Sequence, residues 1–138
     1  MRKIALVLIV FISHYTCGSQ NNDILGILYD QVEAFNNQDI DKLVENVSED
    51  YKYYYVTSNQ LIKEVEGKEN FKKSMQSYFG SGIKVTSEIK SYVIEGNRIS
   101  FREEVSYLNK DNKRVYASSL GVYQIIGGKI TRSWYFMD

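Results

Sequence analysis

The sequence has no proline, one cysteine, one histidine and no formal net charge across its 138 residues. Each scarcity excludes something. Without proline, nothing reads as a Pro-rich linker. With Cys17 alone, the chain cannot form an internal disulfide. Its 17 basic and 17 acidic residues balance, and no basic run stands out. A nucleic-acid partner, which would need Lys and Arg clustered against phosphates, is therefore not expected. The single histidine, His14, lies in a segment expected to be removed. Ser-His and Cys-His nucleophilic catalysis then fall away, as do histidine metal sites. No metal or cofactor is expected, and any chemistry must come from carboxylates, phenols, amines or hydroxyls.

The removable segment is the N-terminus, "MRKIALVLIVFISHYTCGSQNN". Two cations precede an apolar run from Ile4 to Ile12, which is too short to span a bilayer and has the layout of a signal peptide. Cys17 follows, with Gly18 and Ser19 after it. That is where a bacterial lipobox places its acylated cysteine, although His14, Tyr15 and Thr16 depart from the usual aliphatic and small residues. The expected organisation is a signal peptide over 1–16, a tether over 17–22 behind a lipidated Cys17, and one domain over 23–138. The expected location is the bacterial envelope, lipid-anchored to the membrane; the alternative is a soluble periplasmic or secreted protein. Removing Arg2 and Lys3 leaves 15 basic against 17 acidic residues, a net of −2.

What the chain does have is tyrosine, twelve in all. Four of them fall within "EDYKYYYVTS", residues 49–58. Period-2 alternation sends Tyr51, Tyr53 and Tyr55 to one face of a strand and Tyr54 to the other. Composition is otherwise ordinary, at 43% hydrophobic and 25% charged, so one soluble globular domain with a real core is expected.

From Asp23, Leu25, Leu28, Val32 and Phe35 form a helical stripe. Asp39 then reads as the N-cap of a short helix carrying Ile40, Leu43, Val44 and Val47. The tyrosine strand and a polar stretch to Gly67 follow. "GKENFKKSMQSYFGSG" gives a third helix, with Phe71, Met75, Tyr78 and Phe79 on one face. Beyond Gly82 the period changes to two. Four strands, Ile83–Glu95, Arg98–Leu108, Arg114–Ile126 and Lys129–Met137, are joined by the short turns "EGN", "NKDN" and "GG". The expected fold class is α+β, with three N-terminal helices on a curved antiparallel sheet made of one early strand and a four-stranded meander.

Four segments in order, "FNNQDIDKLVENVSEDYKYY", "EGKENFKKSMQSYF", "VIEGNRISFREEV" and "GVYQIIGGKITRSWYFMD", resemble the nuclear transport factor 2-like superfamily, with its SnoaL-like and ketosteroid-isomerase-like domains. The resemblance covers nearly all of the chain after Asp23. It implies a cone whose sheet and helices enclose a pocket, a fold that hosts isomerases, hydrolases, dehydratases and non-catalytic binders. On its second meander strand, Ile99, Phe101, Glu103, Val105 and Tyr107 share a face, and Glu103 is the one charge among them. Such a carboxylate must be paired, protonated or open to a cavity. An edge Glu in solvent, or an ion pair with a residue such as Arg132, is the plainer alternative.

The catalytic positions of the family do not carry over. The ketosteroid isomerase base falls at Tyr55, and the acid of its oxyanion hole falls near Gly121. Limonene-epoxide hydrolase positions fall at Tyr53, Tyr55, Val105, Glu103 and Tyr135, of which only Tyr53 matches. The resemblance thus implies a phenol-lined pocket of Tyr53, Tyr55, Tyr123 and Tyr135 with Glu103, suited to a small apolar or aromatic ligand. A core simply filled by these tyrosines is the competing expectation. The leading reading is an envelope-anchored domain that binds a small molecule or peptide without catalysis. The alternatives are an enzyme using Glu103 as general acid or base, and a structural dimeric interaction domain. Apolar residues on both faces of the last strands, with the family resemblance, point to a homodimer through the convex face.

Overall fold

The computed structural model describes residues 17–136. The expected signal peptide, with His14, and residues 137–138 lie outside the described residues. Three helices, α1 (Cys17–Asn36), α2 (Ile40–Glu45) and α3 (Lys68–Gly80), pack on one six-stranded sheet. Its strands are β1 (Val47–Val56), β2 (Leu61–Glu66), β3 (Val85–Glu95), β4 (Arg98–Leu108), β5 (Arg114–Ile126) and β6 (Lys129–Phe136). The strand order is β2-β1-β6-β5-β4-β3. The expected α+β cone is present, and among the described residues no helix is long and apolar enough to cross a membrane.

Three details differ from the sequence reading. The stretch before Gly67 is a strand, β2, paired antiparallel with β1. As an edge strand with Val65 as its single buried residue, it carries no apolar alternation to mark it in the sequence. The sheet is not antiparallel throughout, because β1 runs parallel to β6. That pairing joins the first strand to the last and closes β1 into the sheet. Finally, α1 begins at Cys17 and not at Asp23, so residues 17–22 are its opening turns. Its buried stripe is Ile24, Leu28, Gln31 and Ala34, with Leu25, Val32 and Phe35 on its flanks. Gln31 sat outside the expected stripe because it is polar. Its side-chain oxygen accepts from buried Asn46 at 2.9 Å, which removes the cost of taking both amides out of water.

Local chemistry explains the remaining boundaries. Asp39 caps α2 by accepting from the Lys42 amide at 3.0 Å. Gly67 starts α3 at φ 89°, a left-handed value that suits a residue without Cβ, and its own amide donates to the Tyr51 carbonyl at 2.7 Å. The β5–β6 hairpin turns on Gly127 and Gly128 at φ 59° and 74°, the paired positive angles of a type I′ turn. The core lies between the concave face of the sheet and the helices. Leu28, Leu43, Val47, Ile99, Phe101 and Ile130 are its most deeply buried apolar side chains.

Gly121 does something different. It lies on the concave face opposite Phe101 of β4 and Tyr135 of β6. A Cβ there would sit 2.4 Å from the Phe101 ring. The missing side chain is the space that Phe101 occupies, so one bare residue sets where the largest core ring lies.

Candidate functional site

The concave face gathers the expected site residues from four strands. Alternation on β1 turns Tyr51, Tyr53 and Tyr55 inward. The pairing of β1 with β6 sets Tyr55 beside Tyr135, and that of β6 with β5 sets Tyr135 opposite Gly121. The Tyr53 ring meets Tyr55 at 4.9 Å and Tyr135 at 5.6 Å, both edge-on. Tyr123 meets Phe101 at 4.8 Å, and its hydroxyl lies 2.9 Å from that of Tyr135. These are favourable edge-to-face contacts. Tyr53, Tyr55, Tyr123, Tyr135 and Glu103 therefore belong to one cluster.

Tyr51 shares the face but not the role. It is only 4% exposed, packs edge-on against Phe71 at 4.9 Å and donates to Ser133 Oγ at 2.9 Å. It is a core tyrosine. Burial drives its hydroxyl far above the usual phenol range, and the same holds for Tyr53, Tyr123 and Tyr135. These phenols are neutral hydrogen-bonding groups and not bases.

Among the described residues Glu103 is the one carboxylate on this face. It is partly buried, and loss of hydration pushes its pKa up. Hydrogen bonding from Ser87, and secondarily from Tyr135, pulls it partway back. The Ser87 hydroxyl donates directly to Glu103 Oε1. The proposed ion pair with Arg132 does not form. Arg132 sits on the convex face, where its guanidinium donates to Gln124 at 3.4 Å. Among the described residues, no Lys or Arg lies within ion-pair distance of Glu103.

Three contributors had no motif to announce them. Ser87 of β3 is 4% exposed and holds the carboxylate. Asn36, the last residue of α1, grips the Ser87 backbone from both sides: its amide donates to the Ser87 carbonyl at 2.9 Å and its oxygen accepts from the Ser87 N–H at 2.7 Å. Tyr78 of α3 is 41% exposed, and its hydroxyl is pushed up by partial burial and by the nearby Tyr55 and Glu103. A small residue and an amide 51 positions apart give no sequence signal of this kind. In the sequence Tyr78 belongs only to the apolar stripe of the third helix.

The cluster is closely packed. Phe35 at the end of α1 meets Tyr78 and Phe79 of α3 at 5.9 and 5.6 Å and covers one side of the cup. Two surface concavities of about 270 Å³ each lie elsewhere. One is lined by Val93, Glu95, Arg98, Ser100 and Val122 on the convex face. The other lies along α1 and α2 between Asp30 and Lys42. Access to Glu103 is at the rim, where Tyr53, Tyr55, Phe79 and Tyr135 are only partly buried and Tyr78 is exposed. Among the described residues no three metal-ligating side chains converge.

A helix-backed cone of this kind is the nuclear transport factor 2-like fold. The chain belongs to the SnoaL-like domain family, whose profile matches residues 29–133. No curated protein sequence matches it significantly. Among solved structures it is similar to a cystatin-fold protein of uncharacterised function from Novosphingobium aromaticivorans, at 21% identity and TM-score 0.69, over 83% of this chain and 97% of that one. An LEH-like epoxide hydrolase from M. tuberculosis matches at 17% identity and TM-score 0.70, over 85% of this chain and 84% of the other. TerC, crystallised with polyporic acid, matches at 11% identity and TM-score 0.70, over 84% and 92%. At these identities the likeness is one of fold.

Proposed function

We propose that the concave cup binds a small apolar or aromatic molecule at its rim, with the ligand's polar end at Glu103. One observation carries this reading: a desolvated carboxylate with no counter-charge among the described residues, partly open to solvent, is held by Ser87 beside a wall of phenols. A purely structural core would gain by replacing such a group with an apolar one, because an unpaired desolvated carboxylate costs free energy. Fold neighbours that hold polyporic acid or hydrolyse an epoxide support a small-molecule role. Because the rings already touch, binding requires the exposed Tyr78 to swing outward and open the cup. An NMR screen of small aromatic compounds tests the reading. Shifts confined to Tyr53, Tyr55, Tyr78, Glu103 and Tyr135 are expected; no compound shifting them at millimolar concentration overturns it.

The raised pKa of Glu103 favours a second reading, in which the site is catalytic and the carboxyl exchanges a proton with the bound molecule. The neutral phenols would then act as hydrogen-bond donors. Loss of turnover with retained binding in Glu103→Gln separates this from binding alone.

Two further proposals concern the protein's setting. Export with acylation of Cys17 rests on the sequence layout, and palmitate labelling of wild type against Cys17→Ser tests it; equal label in both overturns it. Self-association through the convex face rests on its exposed apolar residues, which include Val93 at 66% and Leu120 at 47% exposure.

A further inference from the structure

We infer that the ligand of the cup is an organic cation, an amine or quaternary ammonium on an aromatic or apolar body, with Glu103 as its counter-charge and the surrounding phenol faces as its cage. The inference rests on the binding reading above and narrows its ligand class.

The composition of the wall argues for it. The groups facing Glu103 are the Ser87 hydroxyl from β3, the Tyr135 and Tyr123 hydroxyls from β6 and β5, and Tyr78 from α3. Asn36 from α1 stands behind Ser87. All are neutral. Among the described residues the site thus holds one group able to carry negative charge and nothing positive to balance it. An anionic ligand would meet a like charge in a poorly hydrated site, which is strongly unfavourable. A neutral ligand leaves the carboxylate to be protonated or to sit unpaired. A cation supplies the missing charge and also finds several aromatic faces, whose negative quadrupoles attract it. Aromatic cages recognise quaternary ammonium groups in this way, and the attraction grows when the cation is desolvated.

The anchoring of Glu103 fits this role. Asn36 fixes the Ser87 backbone from both sides, so the hydroxyl is held in place to donate to one carboxylate oxygen. An ionised carboxylate has about four acceptor positions. Two neutral donors leave room for a third donor from the ligand. Glu103 is partly exposed, so that donor reaches it from solvent once Tyr78 has swung outward.

Binding should then depend on pH through Glu103. Its desolvation favours the protonated form, which offers no charge to a cation, so affinity for an amine should rise as pH rises through the Glu103 pKa. The bound cation should in turn lower that pKa, by linkage.

The probes are 2-phenylethylamine, 2-phenylethanol and phenylacetate, three soluble molecules of similar size carrying positive, zero and negative charge. Each is titrated into the protein by NMR from acid to mildly alkaline pH, with wild type and Glu103→Gln. The amine is expected to bind at least about tenfold more tightly than the alcohol near neutral pH, with phenylacetate weakest. That preference should shrink on acidification and disappear in Glu103→Gln, whose folding is checked by its own spectrum. Should the variant not fold, the wild-type pH series decides alone. An alcohol that binds as well as the amine, or an amine preference unchanged by pH, overturns the cation inference and leaves the binding reading standing. Failure of all three to shift the cup residues counts against both.

Discussion

Neighbouring residues on β1 show how differently the two faces of one sheet are used. Tyr53 points inward, touches Tyr55 and Tyr135, and is buried enough to keep its phenol neutral far beyond the usual range. Tyr54 points outward and stacks on Trp134, with rings 12° from parallel and 5.9 Å apart. Beyond that stack the outer face carries Val122, Ser100 and Val93 in one row across the sheet. Several of its charges pair with each other, as in Lys52 with Glu66 and Lys90 with Glu104, while Arg132 donates to neutral Gln124. On the inner face, among the described residues, the one charge, Glu103, has no ion-pair partner. Outside, aromatic residues are an uncovered surface; inside, they surround a polar group that packing alone does not require.

The sharpest way to break that inner face is at Gly121. Gly121→Ala puts a methyl group inside the Phe101 ring, and Phe101 is wedged against Tyr123 and Tyr135. Overpacking of this kind costs about 1–3 kcal/mol, and the upper end is expected because the neighbouring rings are themselves confined. Urea denaturation measures it. Adding Phe101→Leu to Gly121→Ala should recover part of the loss, because the two changes share one space. Full additivity of the two would show that the ring does not need the glycine.

A smaller effect is expected at Tyr51, the inward tyrosine assigned to the core. Tyr51→Phe keeps the ring on Phe71 but strips Ser133, 1% exposed, of the donor to its hydroxyl. The loss should be about 1 kcal/mol in stability. Ligand titrations at the rim should be unchanged. If Tyr51→Phe alters them, the division between core tyrosine and site tyrosine is wrong.

These two positions also show what the sequence could and could not disclose. The strands β3 to β6 were legible nearly to the residue, because turn residues and strict alternation mark them. The inward row of β4 and the tyrosine face of β1 were legible for the same reason. Strand β2 was not, since an exposed edge strand needs no apolar alternation. The inward tyrosines could be enumerated but not divided into core and rim, because that depends on which helix lies above each. Phe71 of α3 covers Tyr51, whereas Tyr53 and Tyr55 lie nearer the rim. The environment of Glu103 was least visible. Its partner Ser87 is 16 residues away and Asn36 another 51 before that, and such small polar residues carry no periodicity.

On the outer face the predicted change is smaller still for the single chain. Leu120 is 47% exposed, so Leu120→Glu should alter the stability of the isolated molecule by no more than about 0.5 kcal/mol. Its effect should fall on self-association, since a charge beside Val122 and Trp134 would be buried without a partner in any face-to-face dimer. Sedimentation at tens of micromolar should find wild type dimeric and the variant monomeric. Wild type sedimenting as a monomer sinks the dimer proposal and leaves the inner site untouched.

The smallest expected effect is at Glu103, and its dependence on pH is more telling than its size. Desolvation raises the folded-state pKa above the unfolded value of about 4.3. Below that unfolded value the carboxyl is protonated in both states, and the folded protein has its full stability. As pH rises through the folded pKa, the folded state must ionise a poorly hydrated group that the unfolded chain ionises freely, so stability falls and then levels off. Glu103→Gln keeps the shape and cannot titrate. The variant should therefore gain on wild type as pH increases, with the difference flat at acid pH and flat again above the folded pKa. The gain should be modest, because Glu103 is partly solvated and Ser87 already stabilises its charge. Denaturant unfolding of both proteins from acid to neutral pH measures it. A variant that loses stability relative to wild type as pH rises would mean that Glu103 has a positive partner on folding. The inner face would then be balanced in the same way as the outer one, and the contrast between them would vanish.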